Sequence, residues 1–195
     1  MTNSDYAIQS SPVRKMIATI EKNGWENGLH KSISTDSFQQ EIQKLGVTVN
    51  GNRYHYLRFS LPAAYDEIEK SGLKLDASLG FAESYGFRNS YGLPFKPFNL
   101  KEQKEYSFVE VPLNVMDGTF QRYQKIPVER TAESVIRFIE ENNRNCILSV
   151  LWHNTFFTNY KYRGYLGEYK KILSYCYDNK FSFVNKNEII TGYLR

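Results

Sequence analysis

The chain has 195 residues with 25 Lys+Arg against 21 Asp+Glu, a formal net charge of +4, and that length is room for one large domain or two small ones with a substantial core. Hydrophobic residues make up 41% and charged residues 24%, close to globular averages, which excludes a disordered tail and a fibrous repeat. No apolar run approaches the ~20 residues of a spanning helix and residues 1–5 carry no apolar signal core, so a soluble, cytoplasmic chain without a membrane span is expected. The basic residues are scattered, mostly beside Glu, and predict no nucleic-acid partner.

Ser11-Pro12 ahead of Val13, Met16, Ile17 and Ile20 reads as N-cap, first-turn proline and an apolar helical face that stops at Asn23-Gly24. Residues 25–29 read as a short strand. Asp36 with Gln39 three positions on reads as a capping box, opening a helix that carries Phe38, Ile42 and Leu45 and ends at Gly46. Residues 53–59 read as a strand, 62–71 as a short helix closed by Gly72, 73–76 as a strand and 108–113 as an apolar strand. Between positions 80 and 104 the pattern lapses into Gly, Pro, Ser and aromatic residues, which predicts a long functional loop. A helix over 131–143, with Val135, Ile136 and Ile139 on one face, leads into 146–152, read as a strand buried on both sides. A helix over 165–178 and a strand over 181–184 complete the series. Alternating strands and helices predict an α/β fold with a mainly parallel sheet or barrel, in a single domain over 1–195.

Cys146 and Cys176 stand among apolar residues without Cys-x-x-Cys spacing, as buried thiols of a reducing compartment do. The 15 Tyr, 13 Phe and 2 Trp either fill the core and its rim or line a site for a stackable ligand such as a sugar.

The 3 His residues are the sharpest chemical signal. His30 follows the strand ending at Leu29, His55 lies in the strand starting at Arg53, and His153 follows the strand ending at Trp152, while Asp76 closes a fourth strand. Ligands of parallel α/β folds gather at the carboxyl ends of strands, so His30, His55, Asp76 and His153 are expected to converge on one cleft. Imidazoles with a carboxylate match a hydrolytic zinc site that keeps a position open for water; each histidine alone could equally be a hydrogen-bonded structural residue. No Gly-x-Ser-x-Gly elbow, phosphate-binding loop or dinucleotide fingerprint is present.

Several segments in order carry a family likeness. They are Trp25-Glu26-Asn27-Gly28-Leu29-His30-Lys31-Ser32, Arg53-Tyr54-His55-Tyr56-Leu57-Arg58, Asp76-Ala77-Ser78-Leu79-Gly80-Phe81-Ala82, Gly86-Phe87-Arg88, Pro94-Phe95, Val115-Met116-Asp117-Gly118-Thr119 and Leu151-Trp152-His153-Asn154. Together the chain resembles the polysaccharide deacetylases, carbohydrate esterases of family four, in the branch found in bacterial surface-polysaccharide gene clusters. The resemblance runs from Tyr6 to about Tyr169. It implies an incomplete, distorted β/α barrel and metal-assisted hydrolysis of the acetamide of an N-acetylated sugar or polysaccharide.

For the site, the resemblance implies His30 as a ligand of a divalent metal, most naturally zinc, and His153 as the general acid; His55 is the candidate to substitute as a second metal ligand. It implies that Asp76 sets the charge state of His153, that Arg53 orients a carboxylate, and that backbone N–H groups near Tyr54 hold the oxyanion. Tyr54, Tyr56, Arg58, Arg88, Trp152 and Asp117 are the substrate-side candidates; Arg53 and Arg58 could instead form ion pairs, and Asp117 could stand in as base or simply cap the Asp-Gly-Thr turn. The chain also departs from the family. The family's opening strand with its Asp pair is expected to precede this chain, Lys31 and Asn27 replace a proline and an isoleucine, and the second metal histidine would fall at Ser34. Two outcomes stay open: a deacetylase of weak activity, or a non-catalytic sugar- or partner-binding protein on a deacetylase scaffold.

Overall fold

The computed structural model describes residues 6–194; the opening segment 1–5, read above as lacking a signal core, lies outside the described residues. The described residues fall into two compact units, one of residues 6–78, 94–111 and 184–194 and one of residues 79–93 and 112–183.

In the first unit, helix α1 (Ser11–Lys22) has Pro12 in its first turn and Ser10 as N-cap. Strand β1 (Leu29–Lys31) starts later than read, with Leu29 and Lys31 buried and His30 exposed between them. Helix α2 (Phe38–Leu45) opens on a capping box of Ser37 and Gln40, one position after the pair read above, because Asp36 turns instead to Lys44 at 2.6 Å. Gly46 ends α2 at φ +66°, a left-handed backbone that favours glycine.

Strand β2 (Gly51–Tyr54) is followed by helix α3 (Ala63–Ser71), strand β3 (Leu75–Asp76), the antiparallel pair β4 (Phe98–Asn99) and β5 (Lys104–Glu105), strand β6 (Val109–Glu110) and, late in the chain, helix α6 (Lys186–Tyr193). The stretch read as a loop over 80–104 therefore ends in a short hairpin. The predicted strand 53–59 stops at Tyr54 and turns into a 3-10 turn at His55–Leu57, where Tyr56 (φ +59°) and Leu57 (φ +50°) leave extended geometry altogether. β1, β2, β3 and β6 pair in parallel in that order. Phe38, Tyr54, Tyr65, Ile68 and Phe108 form one core of the unit. Leu75, Val109 and Val111 form another, covered by Ile189, Ile190 and Tyr193 of α6.

The second unit pairs strands β7 (Val115–Met116) and β8 (Val150–Leu151) in parallel and packs helices α4 (Thr131–Asn142) and α5 (Tyr165–Asp178) around Val115, Phe120, Val135, Ile139 and Ile172. Buried Glu168 of α5 accepts the Ala132 N–H at 2.9 Å and Lys171 Nζ at 2.7 Å, meeting an otherwise orphaned donor in the first turn of α4. The strand read over 146–152 shrinks to Val150–Leu151 and is half-buried rather than covered on both sides. The strand read over 181–184 does not form; Phe183 is exposed, and Asn185 with Glu188 caps α6 instead. Cys176 is buried as read, whereas Cys146 is half-buried.

The result is a mixed α/β fold. Its strands form three separate sheets, so no closed barrel is seen among the described residues, and no helix among them is long and apolar enough to cross a membrane.

Candidate active site

In the second unit β7 and β8 lie side by side, and the residues just past their carboxyl ends meet. His153 Nδ1 lies 2.7 Å from Asp117 Oδ1. Asp117 is fully buried, while the His153 side chain is 42% exposed, so the ring is held from behind and presented to solvent. Asp117 also accepts the backbone N–H of Gly118 and of His153 itself. Its position is thus set by three donors. An ionised carboxylate only accepts, so Nδ1–H donates to it and the reactive nitrogen of His153 is Nε2.

The resemblance gave the task of setting the His153 charge to Asp76. The carboxylate bonded to His153 is that of Asp117, and Asp76 belongs to a different knot inside the first unit. Its Oδ1 accepts from Asn52 Nδ2 at 2.7 Å and Ser78 Oγ at 3.0 Å, and its Oδ2 from the Ser78 N–H at 3.1 Å. Burial raises the Asp76 pKa, against hydrogen bonds from Asn52, Glu110 and Ser78 that lower it. Ser78 Oγ also takes the Tyr54 N–H at 2.9 Å, so that N–H serves the strand ends rather than an oxyanion. Tyr54 itself is a core residue. Its ring packs against Phe38 and Phe59, its hydroxyl reaches Glu67 at 3.3 Å, and burial pushes its pKa up.

At the ends of β1 and β2 three rings form a column. His30 and His55 have centroids 4.7 Å apart with planes tilted by 48°, and His55 stacks on Tyr56 at 3.9 Å and 11°. His30 Nδ1 lies 2.9 Å from the Arg53 carbonyl oxygen, which can only accept, so Nδ1 is the protonated nitrogen and Nε2 carries the lone pair. Tyr56 is held in left-handed backbone, a conformation that costs a non-glycine residue about 1–2 kcal/mol. Arg53 Nε donates to the Ala77 carbonyl at 2.8 Å, and burial lowers the Arg53 pKa against the opposing pull of Asp76 and Glu110.

No protein-family model matches the chain, and no curated protein matches it. Among solved structures, the crystal structure of a candidate polysaccharide deacetylase involved in O-antigen biosynthesis from Bordetella bronchiseptica is similar, with a TM-score of 0.54 and 15% identity over 94% of this chain and 68% of that one. The chain has a deacetylase-like scaffold. At that identity the likeness concerns the fold alone.

Of the remaining substrate-side candidates, Arg88 donates an Nη1–H to the Gly80 carbonyl at 3.1 Å, Trp152 packs on Tyr165 and Tyr169 in the second unit's core, and Arg58, whose backbone N–H donates to the His55 carbonyl, is exposed. For zinc, His30 and His55 offer imidazole nitrogens with one tautomer already set, but a catalytic zinc takes three protein ligands. Among the described residues no group of three or more His, Cys, Asp or Glu side chains is arranged to hold a metal ion. Ser34, where the resemblance put another histidine, hydrogen-bonds Ser32 Oγ at 2.7 Å and Glu41 at 3.3 Å. The described residues therefore do not make up a complete hydrolytic zinc site.

Glu110 is the buried group that sequence reasoning passed over. Its signal was present, as one acid inside the apolar run 108–113.

Proposed function

We propose that the protein is a hydrolase of the deacetylase type, acting on the acetamide of an N-acetylated sugar or polysaccharide, on an incomplete β/α barrel. The pair His153–Asp117 carries this reading: a half-exposed imidazole held by a buried carboxylate at the ends of two parallel strands is built for proton transfer. In the reaction His153 Nε2 takes a proton from the attacking water as its oxygen bonds to the acetyl carbonyl carbon, and the same Nε2 then returns that proton to the amine nitrogen as the C–N bond breaks, so that acetic acid and the free amine leave and the imidazole is neutral again. Asp117 keeps the imidazole in the tautomer that does this and stabilises the imidazolium form. The parallel order β1-β2-β3-β6 and the deacetylase-like scaffold support the family side of the reading. The test is acetate release from N-acetylated oligosaccharides with added zinc or cobalt, comparing wild type with His153→Ala.

A second reading, a non-catalytic sugar-binding protein on the same scaffold, is favoured by one observation: Ser34 stands in a hydrogen-bond net with Ser32 and Glu41 where a metal-ligating histidine would fall. Oligosaccharide binding without acetate release would select it.

A further inference from the structure

In the first unit Asp76 of β3 and Glu110 of β6 stand directly opposite each other. Their residues are 1% and 0% exposed, so two acidic residues occupy neighbouring register positions of the ladder away from water. Two ionised carboxylates buried at neighbouring positions would repel with no water to screen them, which favours a single proton held between the two. Asp76 already accepts three hydrogen bonds, two from the side chains of Asn52 and Ser78 and one from the Ser78 backbone, which favours the negative charge on Asp76 and the proton on Glu110.

We propose that Asp76 and Glu110 share one proton at neutral pH, Glu110 donating to Asp76, and that this neutralised pair is the positioning device for the end of β2. The connection is continuous. From Asp76 it runs through Ser78 Oγ to the Tyr54 N–H, the last residue of β2 before the turn that carries His55 and Tyr56. The charge left on the pair faces Arg53, whose guanidinium interacts with both carboxyl groups. The other ionisable group facing the pair from β2 is Tyr54, and behind it Glu67 of α3 holds the Tyr54 hydroxyl. Asn52 and Ser78 are neutral donors. Helix α6 packs on the neighbouring residues Leu75, Val109 and Val111 with Ile189, Ile190 and Tyr193.

The sign of the pH effect follows from the proton. A folded state that keeps a proton the unfolded chain has lost gains stability at low pH and loses it as pH rises, from the ordinary carboxylate range up to the pKa of the pair. In that window the folding equilibrium constant of wild type should fall about tenfold per pH unit more steeply than that of Glu110→Gln, whose amide donates to Asp76 without titrating.

The experiment is infrared spectroscopy of the full chain at pH 7, read at the carbonyl stretch of protonated carboxylic acids, together with denaturant unfolding from pH 5 to pH 8. Wild type should show the band of a protonated acid, and Glu110→Gln should lose it and flatten the pH dependence. Absence of the band in wild type would overturn the proposal whether or not any variant folds, as would a band that survives in both Glu110→Gln and Asp76→Asn. A Glu110→Gln protein that folds but keeps the wild-type pH slope would overturn it as well.

Discussion

His153 Nδ1 sits 2.7 Å from Asp117 Oδ1, between a ring that reaches solvent and a carboxylate that does not. Residues 36 positions apart meet in this way because β7 and β8 are parallel neighbours, with Met116 registered against Leu151. Asp117→Asn keeps the size of the group but removes its charge and can present an N–H to Nδ1. The expected outcome is a loss of about 10²–10⁴ in kcat, the range of a general acid–base contribution, with KM nearly unchanged. Steady-state acetate release checks it.

Zinc titration followed by calorimetry tests the ring column. His30 and His55, with centroids 4.7 Å apart, should take up zinc more weakly than a complete three-ligand site does. His30→Ala should weaken that uptake, and equal affinity in wild type and variant would remove His30 from any metal role.

The ion pair Lys31–Glu41, at 2.8 Å with side chains 6% and 10% exposed, ties β1 to α2. Burial raises the Glu41 pKa, but hydrogen bonds from Lys31 and Ser32 outweigh it and the net shift is downward. A depressed pKa means that Glu41 stabilises the fold above the ordinary carboxylate value and that this contribution is lost as pH falls through the lowered one. Glu41→Ala strands a buried ammonium and should cost about 3–5 kcal/mol, whereas Lys31→Met with Glu41→Leu should come close to neutral. Urea unfolding at pH 7 distinguishes the two.

Lys180, just past the C-terminus of α5, has φ +58° and is exposed. Lys180→Gly should raise stability by up to about 1 kcal/mol, because glycine adopts left-handed backbone without the Cβ penalty. The readout is the denaturant midpoint.

Helices were legible because their punctuation is local. Pro12, Gly46 and Gly72 mark starts and stops that the backbone obeys. Five strands were legible in order but not in length, whereas β4, β5 and β7 were not read and 181–184 does not form: the run 53–59 reads as a strand, yet Tyr56 and Leu57 turn left-handed, and the Tyr56 ring stacks on His55. Helix α6 is not among the elements read from the sequence, although Asn185 and Glu188 spell its capping box. At the candidate site, His153 and Asp117 were both visible as residue types. Their pairing was not, since it depends on which strands become neighbours, and the same is true of Asp76 with Glu110.

The most direct measurement is acetate release from N-acetylated oligosaccharides in the presence of zinc or cobalt, with wild type and His153→Ala assayed side by side. The account predicts turnover by wild type that His153→Ala abolishes while oligosaccharide binding persists. Turnover that survives His153→Ala, or oligosaccharide binding by wild type with no acetate released, would contradict it.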